Sequence, residues 1–200
     1  MFMSDKRMVQ YGMYLESLRG AKGVLLEYGS QDVEAKFGAA LFLPPENTIQ
    51  SMTNLIADIS ALVGKDDKTG IKAMSLNTFI QSEFDSGSVI VKLPRFRLSF
   101  GAKSLLTSLK RLGITAPFER NGMFKLMSND EQVHIDDVLH KASIEVTEEG
   151  TVAAAGSGAV MMTRSLPTMI TFDRPFIMII YHLETGLPMF IGKIDDPEFI

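Results

Sequence analysis

Few side chains in this chain are equipped for chemistry. It holds 3 histidines and no cysteine, so thiol catalysis, cysteine-zinc ribbons and disulfide scaffolds are excluded. His134 stands close to Asp136 and Asp137, types that can ligate a metal, but a solvated turn ahead of a strand explains the cluster better. No metal and no cofactor is therefore expected, and neither a glycine-rich phosphate loop nor a catalytic triad is legible. The most unusual stretch runs from Glu148 to Pro167. It has no large aliphatic side chain before Met161 and one cation, Arg164, followed by Ser165. Composition alone makes it a flexible linker. Proline is absent from Glu148 to Val160, however, and a strand would present Thr151, Ala153, Ala155, Ser157 and Ala159 to one side, a row of small groups that fits a crowded sheet interior.

The elements that must position this stretch read as a mixture of helix and strand. Phe37 to Leu43 is apolar and stops at Pro44-Pro45, as a buried strand does where no N–H remains to pair. Beyond Asn47, the residues Ile49, Met52, Leu55, Ile56, Ile59, Leu62 and Val63 recur at helical spacing and predict one apolar face, closed by Gly64. Lys65 to Thr69 reads as a solvated turn. From Val89 to Phe100 the period becomes two, with Phe96, Leu98 and Phe100 on one side and Arg95, Arg97 and Ser99 on the other. A second helix is predicted from about Ala102, with Leu105, Leu106, Leu109 and Leu112 inward and Gly113 past its end. From Leu139 alternation returns, placing His140, Ala142, Ile144 and Val146 opposite Lys141, Ser143, Glu145 and Thr147. The chain closes in a hairpin around Glu184-Thr185-Gly186, and its first strand, Phe176 to Tyr181, is apolar on both faces and belongs in mid-core. The fold class is α+β.

Composition narrows the function classes. With 200 residues, 46% hydrophobic, 22% charged and a net charge of -4, the chain is neither disordered nor a basic nucleic-acid binder. No apolar run approaches the ~20 residues of a membrane-spanning helix. The opening residues Met1 to Arg7 lack the apolar stretch of a signal peptide.

Several motifs together resemble the C-terminal half of the serpins, the serine-protease inhibitor family. They are Leu93-Pro94-Arg95-Phe96, Leu112-Gly113-Ile114 before Phe118, His140-Lys141-Ala142, and Val146-Thr147-Glu148-Glu149-Gly150-Thr151 with the alanines behind it. The last block, Phe172-Asp173-Arg174-Pro175-Phe176 through Gly186 to Phe190-Ile191-Gly192-Lys193 and Asp196-Pro197, is similar to the family's C-terminal signature. Gln10-Tyr11-Gly12 and Leu41 to Pro44 resemble its central region, so the likeness covers essentially the whole chain.

The resemblance implies a partial serpin domain over residues 1–200 whose reactive-centre loop is about 150–167. It implies no catalytic residue, because a serpin acts as bait. The hinge would be Glu148, Glu149, Gly150, Thr151, Val152, Ala153, Ala154 and Ala155. Counting Glu148 as one, the seventeenth residue is Arg164, so the reactive bond would be Arg164-Ser165. An Arg there implies a trypsin-like serine protease as partner, since a carboxylate in the primary pocket pairs bidentately with a guanidinium. The cut loop would then insert into the main sheet as a new strand. His140 would hydrogen-bond across the gap through which that sheet opens, and Arg95 with Glu148 would pair at the base of the loop.

By the same resemblance Lys103, Lys110 and Arg111, read as lying on one helix, would offer a weak sulphated-polysaccharide contact; the plainer reading is a wet face. No nucleic acid and no membrane partner is expected. Secretion is implied, with an intracellular place left open. Full-length serpins are about twice this long, which makes a fragment lacking the N-terminal half the favoured expectation. The second reading is a serpin-fold binding module or inactive fragment without inhibitory action.

Overall fold

A computed structural model describes residues 2–30, 33–63, 76–120, 124–130, 132–147, 168–195 and 198–199. The hinge Glu148 to Ala155, the bond Arg164-Ser165 and the turn Lys65 to Thr69 lie outside the described residues. In chain order the elements are β1 (Phe2–Leu15), β2 (Ala21–Ser30), β3 (Val33–Leu43), α1 (Ile49–Val63), α2 (Leu76–Glu83), β4 (Asp85–Pro94), β5 (Phe96–Ser104), α3 (Leu106–Arg111), β6 (Leu139–Val146), β7 (Thr168–Thr171), β8 (Phe176–His182), β9 (Pro188–Ile194) and β10 (Glu198–Phe199). They divide into two compact units, Met1–Phe96 with Val146–Ile200 and, separately, Arg97–Glu145.

The larger unit is built on a seven-stranded sheet in the order β7-β4-β1-β2-β3-β8-β9. All its pairings are antiparallel except that of β4 with β7. β1 pairs with β4 through Phe2 to Tyr11 on one edge and with β2 through Gln10 to Leu15 on the other, so the two pairings are staggered along it and overlap only at Gln10 and Tyr11. Just past that overlap Gly12 lies opposite Gly23, and the register with β2 shifts between Gly12 and Leu15. A Cβ on Gly12 would run into Leu15, and one on Gly23 into the Phe84 ring, so bare backbone is what lets those side chains in. After β1 the chain reverses through Arg19, at φ 55, and Gly20, at φ 85. Arg19 holds that left-handed conformation with its guanidinium forked onto Asp58 of α1, at 2.9 and 3.2 Å.

β8 lies between β3 and β9, and Phe176, Ile177, Met178, Ile179 and Tyr181 are all buried. The mid-core position expected from its two apolar faces is what the sheet shows. Each such side chain stabilises the fold by about 1.5–3 kcal/mol. β3 also ends at Leu43, ahead of Pro44-Pro45, as expected.

α1 starts where Thr48 Oγ accepts the Ser51 N–H at 3.1 Å, an N-cap one residue beyond Asn47. It packs Met52, Leu55 and Ile59 inward. Ile49 and Ile56 are exposed, which corrects the single apolar face: at 100° per residue they fall outside the arc of the other three. α2, a helix not expected from the sequence, buries Leu76, Phe79 and Ile80 on one face. Phe79 meets Phe42 of β3 and Phe84, each at 6.1 Å between ring centres.

In the smaller unit β5 lies beside β6. β6 keeps the expected alternation at Ala142, Ile144 and Val146, which are half-buried between exposed neighbours. α3 begins at Leu106 rather than near Ala102, and none of its residues is fully buried. Ser104 Oγ accepts the Leu106 N–H at 3.3 Å, and β5 runs up to that serine. Lys103 is therefore on a strand, not on a helix with Lys110 and Arg111. Leu112, expected inward, is 77% exposed.

Candidate functional site

In the sequence the stretch Glu148 to Pro167 follows β6 and precedes β7, so the described residues beside it are those of each strand taken by itself. On the entry side, His140 is the second residue of β6 and is exposed. Arg95 is the single residue between β4 and β5 and is half-buried. Its expected partner Glu148 lies outside the described residues. Sequence reasoning missed a nearby ion pair: Arg97 Nε and Nη2 stand 3.3 and 3.0 Å from Glu145 Oε2. The signal is present in the sequence, because both residues fall on the polar faces of alternating segments.

On the exit side β7 runs parallel to β4, with Val89 beside Thr168, Ile90 beside Met169, Val91 beside Ile170 and Lys92 beside Thr171. β7 is an edge strand with β4 its only neighbour among the described residues. Ile170 is fully buried while Met169 is half-exposed, the alternation of a strand with one face on the core. Beyond it the Phe172 N–H donates to Lys92 O at 2.9 Å. The Phe172 ring meets Phe176 at 5.1 Å, and Phe176 meets Phe96 at 6.2 Å. Arg174 donates from Nε and Nη2 to Pro44 O at 3.2 and 2.8 Å, and from Nη2 to Pro45 O at 3.3 Å. Its Nη1 lies 3.1 Å from Asp173 Oδ1. Arg174 was legible as part of a motif but carried no assigned role.

Two other clusters can be weighed. His134 has both ring nitrogens engaged, Nδ1 with Gln132 O at 2.8 Å and Nε2 with Asp136 Oδ1 at 3.0 Å. Asp137 is taken by Ser104 Oγ and by the Val138 N–H. Among the described residues no cluster is arranged to hold a metal ion. Of the candidate cations, Lys103 Nζ sits 4.7 Å from the Phe100 ring centre and Lys110 Nζ 5.9 Å from that of Phe118, cation–π distances that place each ammonium against its own ring.

The larger unit also contains an open cavity of about 710 Å³ whose walls include Gln10, Glu27, Lys36, Asn77, Tyr181 and His182. Asn77 Nδ2 donates to Leu183 O and so ties α2 to the end of β8. Tyr181 is pushed up to about 12, by burial first and by the Glu27 carboxylate second. Among the described residues no helix is long and apolar enough to cross a membrane.

Comparison with known proteins agrees with this architecture. A family model described as Serpin (serine protease inhibitor) matches residues 1–197. Serpin-ZX of Arabidopsis thaliana is 30% identical over 98% of this chain and 48% of its own length. Glia-derived nexin of Homo sapiens is 39% identical over 54% of this chain and 28% of its own. The crystal structure of human thyroxine-binding globulin complexed with its hormone superposes with a TM-score of 0.70 at 22% identity, covering 98% of this chain and 46% of that one. This chain thus spans less than half the length of these relatives. With the family matched over residues 1–197 and an α+β architecture of the same fold, the chain belongs to the serpins.

Proposed function

We propose that this chain carries the bait half of a suicide-substrate inhibitor of trypsin-like serine proteases, with Arg164-Ser165 as the bond attacked. The observation that carries the reading is the spacing from Glu148 to Arg164, seventeen residues counted inclusively, in a chain of the serpin family. After attack, the stretch from Glu148 inserts as a strand, and the protease stays held as its acyl-enzyme. Insertion needs small side chains and free N–H groups. Thr151, Ala153 and Ala155 meet the first need, and a proline-free run to Val160 meets the second. Glycines at 156 and 158 raise the ordering cost by about 0.5–1 kcal/mol each relative to alanine. His140 and Arg95 control the opening of the sheet and the base of the loop. A secreted location completes the reading; with Lys103 on β5 and Lys110 and Arg111 on α3, no common helix face presents the three cations to a sulphated polysaccharide.

The experiment compares second-order rate constants of trypsin-like, chymotrypsin-like and elastase-like proteases on this chain. The reading expects the first to exceed the others at Arg164-Ser165. Preference for an apolar residue elsewhere in the loop contradicts it.

One observation favours a second reading, a carrier without inhibitory action. The cavity near Tyr181 and Asn77 is large enough for a small molecule, and the structural relative thyroxine-binding globulin was solved with its hormone bound. Equilibrium dialysis with thyroxine separates the two: saturable binding that Asn77→Ala removes supports the carrier.

A further inference from the structure

The connection from β7 to β8 is four residues, Phe172 to Pro175, yet it joins strands five places apart in the sheet order. Five Cα steps reach at most about 18 Å. Laid flat, five strand spacings alone amount to about 24 Å. The ends are also offset along β1, since Lys92 sits level with Ser4 while Phe42, through Gly23, sits level with Gly12. The sheet of this unit must therefore curl until the end of β4 and the end of β3 come within reach of each other.

The connector bridges that opening and bonds to both lips. On the β4 side the Phe172 N–H takes Lys92 O, and on the β3 side Arg174 takes Pro44 O and Pro45 O. Both of those carbonyls lie past the end of β3, beyond the reach of its ladder. A guanidinium supplies donors along two edges at once, which the single ammonium of lysine does not. With 19% of the Arg174 side chain exposed, the two bonds to Pro44 O are partly buried while that to Pro45 O faces water.

We propose that Arg174 is the latch of this connector and a positioning residue for the bait bond. β7 begins three residues beyond Ser165 and, among the described residues, has four paired residues on one side only, so it is the least secured described strand on that flank. Its route back into the core runs through the latched connector. Keeping β7 docked fixes Thr168, three residues beyond Ser165, and so lowers the cost to a protease of ordering its substrate on that side. This role rests on the proposed function; the latch itself rests only on the hydrogen bonds above.

The test uses the 200-residue chain, Arg174→Met and Arg174→Lys, followed by hydrogen exchange with mass spectrometry and by trypsin kinetics. In Arg174→Met the amides of Thr168 to Thr171 should exchange about tenfold faster or more, while those of Phe176 to His182 change less than about twofold. KM for cleavage at Arg164-Ser165 should rise with kcat unchanged, as expected when only positioning is lost. Arg174→Lys should fall between. Unchanged exchange in β7, or equal acceleration in β7 and β8, overturns the latch. Failure of trypsin to open Arg164-Ser165 in the unsubstituted chain overturns the bait reading and the positioning role with it, while the exchange in β7 decides the latch independently.

Discussion

Phe172 and Phe176 meet at 5.1 Å, ring edge to ring face, although the strands they flank stand five places apart in the sheet order. Both are buried, and Phe176 also reaches Phe96. This aromatic contact fills the inside of the curl that brings β7 back to the core. Phe176→Ala should therefore lower unfolding stability by about 3–5 kcal/mol. Urea titration followed by circular dichroism measures it, and a loss below about 1 kcal/mol would show that the contact is incidental.

Tyr181 gives a pH signature. Its ordinary value is 10.0 and the fold pushes it up to about 12. Below pH 10 the phenol is neutral in both states and its contribution is fully present. As pH rises from about 10 to 12 the unfolded chain ionises first, so stability falls, and beyond the folded value the contribution is lost. The decline should be on the order of 2 kcal/mol. Tyr181→Phe should flatten that part of the stability–pH curve, and a slope identical to that of the parent chain would refute the assignment.

Arg97 and Glu145 form an ion pair whose side chains are 56% and 46% exposed. A double-mutant cycle with Arg97→Ala and Glu145→Ala should return a coupling of about 0–1 kcal/mol that fades with added salt. A larger, salt-insensitive coupling would mean that water is kept away from the pair.

How far the sequence disclosed this molecule depended on which force placed each residue. Where a strand is apolar on both faces, as in β8, hydrophobic pattern alone specifies mid-sheet burial, and that position was legible. Ile49 and Ile56 were misplaced because apolar character does not by itself decide which residues fall within the narrow arc that α1 buries. α3 was begun too early because the period of β5 persists to Ser104 and a serine hydroxyl, not a change in hydropathy, marks the switch. The expectation of a reactive bond at Arg164-Ser165 comes only from family motifs, since small residues around one Arg carry no periodic signal, and that bond lies outside the described residues. The Arg174 fork was invisible for another reason: its acceptors are backbone carbonyls about 130 positions away in the chain, and no side-chain pattern announces them.

The hinge gives a prediction for this chain completed by a serpin N-terminal half. Thr151→Arg or Ala153→Arg would force a charge into the sheet interior at a cost of several kcal/mol, delaying insertion until the acyl-enzyme hydrolyses. On a denaturing gel, covalent complex should give way to cleaved product. Undiminished complex formation contradicts insertion.

The central claim is that Glu148 to Pro167 is a protease bait whose trapping needs strands beyond these 200 residues. The most direct measurement is trypsin digestion of the 200-residue chain, read by denaturing electrophoresis and by sequencing the first new amino terminus. The account predicts Ser165-Leu166-Pro167 and no denaturant-resistant adduct. A first cut at Arg95 or Arg111, or a covalent adduct at near-stoichiometric yield, would contradict it.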